Sequence, residues 1–284
     1  MPRRERRKQP EPIEAEGPIS TRAELEQVEE RLAIGVNVVY ETVRREGDDE
    51  LRRTPQALGW SGLAAGLSMG FSLVAEALLA SYLPDRPWRP LISGFGYCLG
   101  FLIVVLGRQQ LFTENTLTVI LPLLVRRERN MLLAVARLWG IVLAANLLGT
   151  YAFALILGRS AMFEPVVRQQ FLQIGLSHLG LGFGDGLLRA IFAGWLIALM
   201  VWLLPAAGNG RLAIIVILTY FIGIGGFLHV IAGSATVLYA VVVGAVSWGT
   251  YFTQFFLPAL LGNIIGGVAL VAALSHAQVD TRGL

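Results

Sequence analysis

Apolar residues in this chain fall into long blocks, and one block is broken from within. Residues 212–244 form a nearly continuous apolar stretch, longer than the about 20 residues that one untilted bilayer span requires. Gly223, Gly225, Gly226 and Gly233 loosen its middle, and His229 is the one residue in it that titrates near neutral pH. The other blocks predict spans at about 57–82, 91–124, 131–157, 187–207 and 255–274. Within 91–124 the run Arg108-Gln109-Gln110-Leu111-Phe112-Thr113-Glu114-Asn115 interrupts the apolar pattern. The pattern therefore predicts an all-α polytopic membrane protein with six spans, the second and fifth interrupted.

Ahead of the spans the pattern changes twice. Residues 1–20 carry Arg3, Arg4, Arg6, Arg7 and Lys8, then prolines and acids, with no apolar core. This composition predicts a disordered charged tail and no cleavable signal peptide. Leu25, Val28, Leu32, Val36, Val39 and Val43 then recur at helical spacing among charged residues, which predicts an amphipathic helix. Thr21 and Glu24 fit a capping box at its start, and Gly47 its stop. The domain plan is a tail at 1–20, a cytoplasmic amphipathic helix and linker at 21–54, a transmembrane unit at 55–276 and a short cytoplasmic tail at 277–284. Thr54-Pro55 opens the first span, with proline in the first turn. Residues 158–185 are a longer connection.

Composition supports the membrane reading. Hydrophobic residues make up 55% of the 284 and charged residues 15%, against about 25% charged in soluble proteins, and the mean hydropathy is +0.61. The net charge of +3 is not a nucleic-acid signature, because the basic residues flank spans, where they set topology. With both termini cytoplasmic, the inside holds Arg44, Arg45, Arg52, Arg53, Arg126, Arg127, Arg129, Arg211 and Arg282. The outside holds Arg86, Arg89, Arg159 and Arg168. Cys98 is the single cysteine, so no internal disulfide and no cysteine-based metal site is expected, and Cys98 reads as a small packing residue.

The two halves of the chain repeat. Asn146-Leu147-Leu148-Gly149 in the third span matches Asn263-Ile264-Ile265-Gly266 in the sixth, and the same offset takes Thr116 to Gly233. Three spans per half is an odd number, so the second copy is inverted in the membrane. Inverted repeats with one broken helix each place the conduction site between the breaks.

His229 is accordingly the first candidate site residue, since an ionisable group at bilayer depth is costly unless it works. Thr113 orients that ring, caps the half-helix that follows it, or does both. Half-helix N-termini near Thr116 and Ser234 carry positive partial charge that suits an anion. Arg108 and Glu114 form an internal pair, or else Glu114 opposes anions or shuttles protons. Arg137 snorkels. Asn146 and Asn263 hold helices together, and Gly62, Ala65, Gly66, Ser68 and Gly70 allow close helix approach. His178 and His276 lie outside the spans, facing solvent.

These motifs resemble the formate/nitrite transporter family. The resemblance spans residues 55–276. It is carried by Leu111-Phe112-Thr113, Arg189-Ala190, Leu196-Ile197-Ala198-Leu199-Met200-Val201-Trp202, His229-Val230-Ile231-Ala232-Gly233 and Gly262-Asn263-Ile264-Ile265-Gly266-Gly267. The runs Arg108–Thr116, Pro205-Ala206-Ala207-Gly208 and Ser275-His276-Ala277-Gln278 are most similar to a branch with a long N-terminus. The resemblance implies an aquaporin-like fold, a homopentamer with one pore per protomer, and a multi-pass protein of the bacterial inner membrane. It implies passage of small monovalent anions or their conjugate acids: formate, nitrite, hydrosulfide. By position, Thr113 matches the loop threonine that faces the central histidine, and His229 that histidine. Tyr97 and Phe101 match apolar constriction positions on one side and Ile222 one on the other. Gly194 replaces the family's fourth-span asparagine, Gln110 its acid before Leu-Phe-Thr, and His178 falls near its vestibule lysine.

The reading is a channel or transporter, with no cofactor and no metal, whose partners are its anion, the bilayer and copies of itself. The alternative is a non-conducting membrane scaffold or sensor acting through its N-terminal helix. An enzyme is disfavoured, because the histidines are far apart in sequence and no nucleophile–base pair is visible.

Overall fold

A backbone in hydrocarbon has no water to bond, so spanning segments satisfy their own N–H and C=O groups as helices. The computed structural model describes residues 34–280, and within them the regular structure is helical, with no strand. The capping box at Thr21 and Glu24 and the charged tail lie outside the described residues. In chain order the elements are α1 (Val36–Arg52), α2 (Pro55–Tyr82), α3 (Arg89–Leu106), α4 (Asn115–Arg126), α5 (Arg129–Arg159), α6 (Pro165–Ser177), α7 (Phe183–Leu203), α8 (Arg211–Ile224), α9 (Val230–Val242), α10 (Trp248–Ala269) and α11 (Ala273–Asp280). α2, α3, α5, α7 and α10 are long and apolar enough to cross a membrane, whereas α4, α8 and α9 are shorter apolar helices. α10 contains a π-helical turn at Tyr251–Phe256, and a second, Ile265–Ala272, carries its end toward α11.

α2 starts as Thr54-Pro55 predicts: the Thr54 hydroxyl accepts the Ala57 N–H at 3.3 Å. The small-residue face of α2 is buried, and through it α2 meets α5 backbone to backbone. A Cβ added at Gly149 would sit 2.8 Å from Gly66 Cα. α7 meets α10 in the same manner, since a Cβ on Gly266 would lie 2.7 Å from the Trp195 nitrogen. Gly194 belongs to this second crossing. A side chain there would reach the Asn263 backbone, its Cβ 2.9 Å from the Asn263 carbonyl carbon, so close approach of α7 and α10 excludes the asparagine that the resemblance leads one to expect.

α1 differs from the sequence reading. The helix runs through Gly47 to Arg52. Gly47 is not a stop: it lies against the Thr118 carbonyl and the Pro122 ring of α4, where no Cβ fits. Val39, Tyr40, Val43, Gly47 and Leu51 form its buried stripe. Its polar face carries the pairs Arg44–Glu41 at 2.7 Å, Arg44–Asp48 at 2.7 Å and Arg45–Glu41 at 2.6 Å, and Asp48 also pairs with Arg126 beyond the helix.

Three further expectations change. The connection 158–185 contains a helix, α6, whose Val167, Phe171 and Gly175 are buried. His178 does not face solvent: its Nδ1 bonds the Ile174 carbonyl at 2.8 Å and its ring packs on Phe255. His276 does not either, for its Nδ1 bonds the Tyr40 hydroxyl at 2.8 Å. Arg137 turns its guanidinium to the Leu51 carbonyl, 2.8 Å away, and so ties α5 to the end of α1. Cys98 is buried as a packing residue, its thiol 3.5 Å from the Val216 carbonyl.

Candidate functional site

The site is made of two chain breaks brought face to face. In the first, α3 ends at Leu106 and the chain passes through Arg108 at φ 49, a left-handed conformation costing about 1–2 kcal/mol for a residue with a side chain. Helix resumes at Asn115. In the second, α8 ends at Ile224, Gly226 takes φ 60 without that cost, and α9 starts at Val230.

An asparagine braces each break. Asn146 Oδ1 accepts the Phe112 N–H at 2.9 Å, while its Nδ2 donates to the Gly62 and Gln110 carbonyls, both at 2.8 Å. Asn263 Oδ1 accepts the Val230 N–H at 2.8 Å, while its Nδ2 donates to the Ala190 and Leu228 carbonyls, both at 2.8 Å. Each amide side chain replaces backbone bonds lost where the helix stops. Further polar ties hold the first break: Gln110 N–H to Ser61 Oγ at 3.0 Å, Asn115 Nδ2 to Gln110 Oε1 at 3.0 Å, and Trp139 Nε1 to the Asn115 carbonyl at 3.1 Å. Ser61 and Trp139 carry no local signal that would single them out, because their partners lie in other elements; Gln110 and Asn115 belong to the polar interruption, but their pairing depends on how the broken chain folds back.

His229 and Thr113, both fully buried, join the two breaks. His229 is the N-cap of α9: its Nδ1 accepts the Ala232 N–H at 3.1 Å. Its Nε2 lies 2.7 Å from Thr113 Oγ1. A nitrogen that accepts carries no proton, so the cap assigns the ring proton to Nε2. The ring is then neutral, Nε2–H donates to Thr113, and the Thr113 hydroxyl hydrogen is left to donate elsewhere. At the start of α4 it is the Thr113 carbonyl, not its hydroxyl, that is engaged, accepting the Thr116 hydroxyl at 2.7 Å. A second proton on His229 would have to occupy Nδ1 and break the α9 cap.

Apolar groups close around this pair. Phe101 stands edge to face with the imidazole at 5.0 Å, and Tyr97 lies 5.3 Å from Phe101. Gly223 faces the Tyr97 ring, where a Cβ would come within 3.1 Å, and Ile222 beside it is fully buried. α8 thus brings Ile222 to the helix that carries Tyr97 and Phe101. The Ser234 hydroxyl is engaged away from the histidine, with the Val230 carbonyl at 2.5 Å and the Tyr251 hydroxyl at 2.9 Å. Its role is to fasten α9 to α10, and its hydroxyl is no free donor for an anion.

The pairing of Arg108 with Glu114 is not formed. Arg108 reaches Glu46 of α1 at 3.6 Å, because its left-handed backbone turns it outward. Glu114 Oε1 is shut off from solvent and has no hydrogen-bond partner. Among the described residues no group of three or more His, Cys, Asp or Glu side chains is placed to hold a metal ion.

A family model described as formate/nitrite transporter matches residues 37–277. The inner membrane protein YfdC of Escherichia coli (strain K12) is 40% identical over 251 residues, covering 88% of this chain and 81% of that protein. The formate channel BtFdhC of Bacillus thuringiensis is 26% identical over 241 residues, with 82% and 91% covered. Among solved structures, an ion channel of the same family superposes with a TM-score of 0.74 at 16% identity, covering 85% of this chain and 99% of that one. A pentameric formate channel with formate bound superposes with a TM-score of 0.66 at 18% identity, covering 79% and 97%.

Proposed function

Because the chain belongs to the formate/nitrite transporter family, we propose that it is a membrane channel or transporter for small monovalent anions or their conjugate acids, with its pore passing the His229–Thr113 pair. The observation that carries the reading is the 2.7 Å bond between Nε2 and Oγ1, which links the two helix breaks at buried depth. α3 with α4, and α8 with α9, count as two broken spans, giving six crossings in two inverted halves. The asparagines at corresponding places in the two halves support that symmetry. The arginine bias at the span ends supports termini on the cytoplasmic side, and the named membrane of the E. coli relative supports an inner-membrane location. The small-residue faces and the pentameric neighbour support a homopentamer.

The chemistry follows from what an anion needs in an apolar slot. Stripping a bare charge of water is expensive. The N-terminal ends of α4 and α9 supply positive partial charge at the breaks. The free Thr113 hydroxyl hydrogen supplies a directed donor, held in orientation by the neutral imidazole behind it. Phe101, Tyr97 and Ile222 exclude water beside this point, so a hydrated cation has nothing to exchange its shell for.

Purified protein in vesicles tests the proposal against formate, nitrite and hydrosulfide. Wild-type protein is expected to move at least one of them, and Thr113→Val to move it far more slowly. A correctly assembled wild-type protein that moves none refutes the reading and leaves the scaffold alternative.

A further inference from the structure

Passage of the substrate as its neutral acid calls for a group that gives and takes a proton, and the neutral, doubly bonded His229 is poorly placed to be that group. Building on the channel reading, we propose that Glu114 is the proton-carrying residue of the pore, handing its proton to the passing anion beside Thr113 and taking a new one from water on the α1 side.

The geometry singles out this carboxyl. Glu114 follows Thr113 directly in the chain and is the residue before α4, so its backbone belongs to the first break. Its Oε1 is closed to solvent and unpartnered. The charged groups that face it are Glu46 and Glu50 of α1 and Arg108 of the break. Glu46 is matched by Arg108 at 3.6 Å and Glu50 by Arg53 at 3.0 Å, so both nearby cations already have partners. Glu114 is the unmatched acid of the group. An ionised, unpaired carboxylate shut off from water is costly, and Glu50 and Glu46 together add more to that cost than Arg108 takes away. A proton on Glu114 removes both penalties.

An arriving anion changes the balance. The protonated carboxyl donates a hydrogen bond to it, and transfer of that proton leaves Glu114 as carboxylate and the passenger as its neutral acid. The neutral acid leaves without the desolvation penalty of an ion, and repulsion from Glu46 and Glu50 drives the carboxylate to recover a proton. A proton then moves with each anion. Glu114→Gln keeps the shape of the protonated carboxyl and its hydrogen-bond donor but has no proton to release.

The experiment uses the full chain in vesicles with labelled formate, an internal pH indicator and an imposed membrane voltage. Wild-type formate uptake is expected to acidify the lumen in step with the label and to ignore voltage. In Glu114→Gln the acidification per formate should be lost, and the remaining flux should follow voltage. Glu114→Asp, which still titrates, should restore coupled movement and so separates a proton role from a purely structural one. Unchanged coupling in Glu114→Gln overturns the inference while the channel reading stands. Absence of formate, nitrite and hydrosulfide flux in the wild type overturns the channel reading itself, and this inference with it.

Discussion

Replacing His229 with asparagine separates the two bonds its ring makes. Asparagine is among the best N-cap residues, so its side-chain oxygen takes over the Ala232 N–H that Nδ1 now accepts at 3.1 Å. It is too short to put a donor where Nε2 stands, 2.7 Å from Thr113 Oγ1. The variant therefore keeps the start of α9 and loses the link between the breaks. Leaving a buried hydroxyl without its partner costs about 1–3 kcal/mol, a loss too small to unfold an assembly braced by Asn146 and Asn263. The same loss frees Thr113 to rotate, and about 1.4 kcal/mol of lost orientation in the conducting state slows flux about tenfold. Thermal unfolding in detergent measures the first effect, and initial formate flux in vesicles across a range of external pH measures the second. If the ring stays neutral throughout, flux in His229→Asn falls at every pH while the shape of the pH profile persists. A folded variant whose pH dependence has vanished refutes the neutral-ring argument and makes His229 itself the proton carrier.

Other consequences are open to simpler measurements. Asn263→Leu removes bonds to Val230, Ala190 and Leu228 together and is expected to lower stability by at least about 2 kcal/mol, read as an earlier unfolding transition with loss of flux. Gly47→Val sets a branched side chain against the Thr118 carbonyl, so α1 should detach, seen as faster proteolysis at 36–52 with α2 to α10 still protected. Gly194→Asn, which reinstates the residue expected at that place, should fail to assemble, because α7 cannot widen its crossing with α10 without moving Asn263. In α1, hydrogen bonds from Arg44 and then Arg45 hold the Glu41 carboxyl down from 4.5 to about 2. A lowered folded value contributes stability above 4.5 that is lost as pH falls toward 2. Glu41 is 40% exposed, so Glu41→Gln should cost under about 1 kcal/mol at neutral pH and make α1 helicity less acid-sensitive in that window.

Much of this protein is written locally, and those parts were readable from the chain alone. A span is an apolar block of sufficient length, and a broken span is such a block with glycines or polar residues inside it. The helices α2, α3, α5 and α7, the break around 108–115 and the matched Asn146 and Asn263 follow from composition and spacing, and so does a second break, which the glycines and His229 place near 227–233 and which falls at 225–229, since lipid leaves the backbone no other way to bond itself. What the spacing could not say was which partner each polar group would find. Tyr40 and His276 are 236 residues apart in the chain, Arg137 and Leu51 86 apart. Nothing local distinguishes Gly47 as a helix crossing from Gly47 as a helix stop. Glu114 sits close enough in sequence to Arg108 to suggest a pair, and only the left-handed turn at Arg108, together with α1 crossing beneath α4, gives that arginine to Glu46 and leaves Glu114 alone. The protonation of His229 is decided in the same way, by an N–H of Ala232 that becomes available once α9 begins where it does.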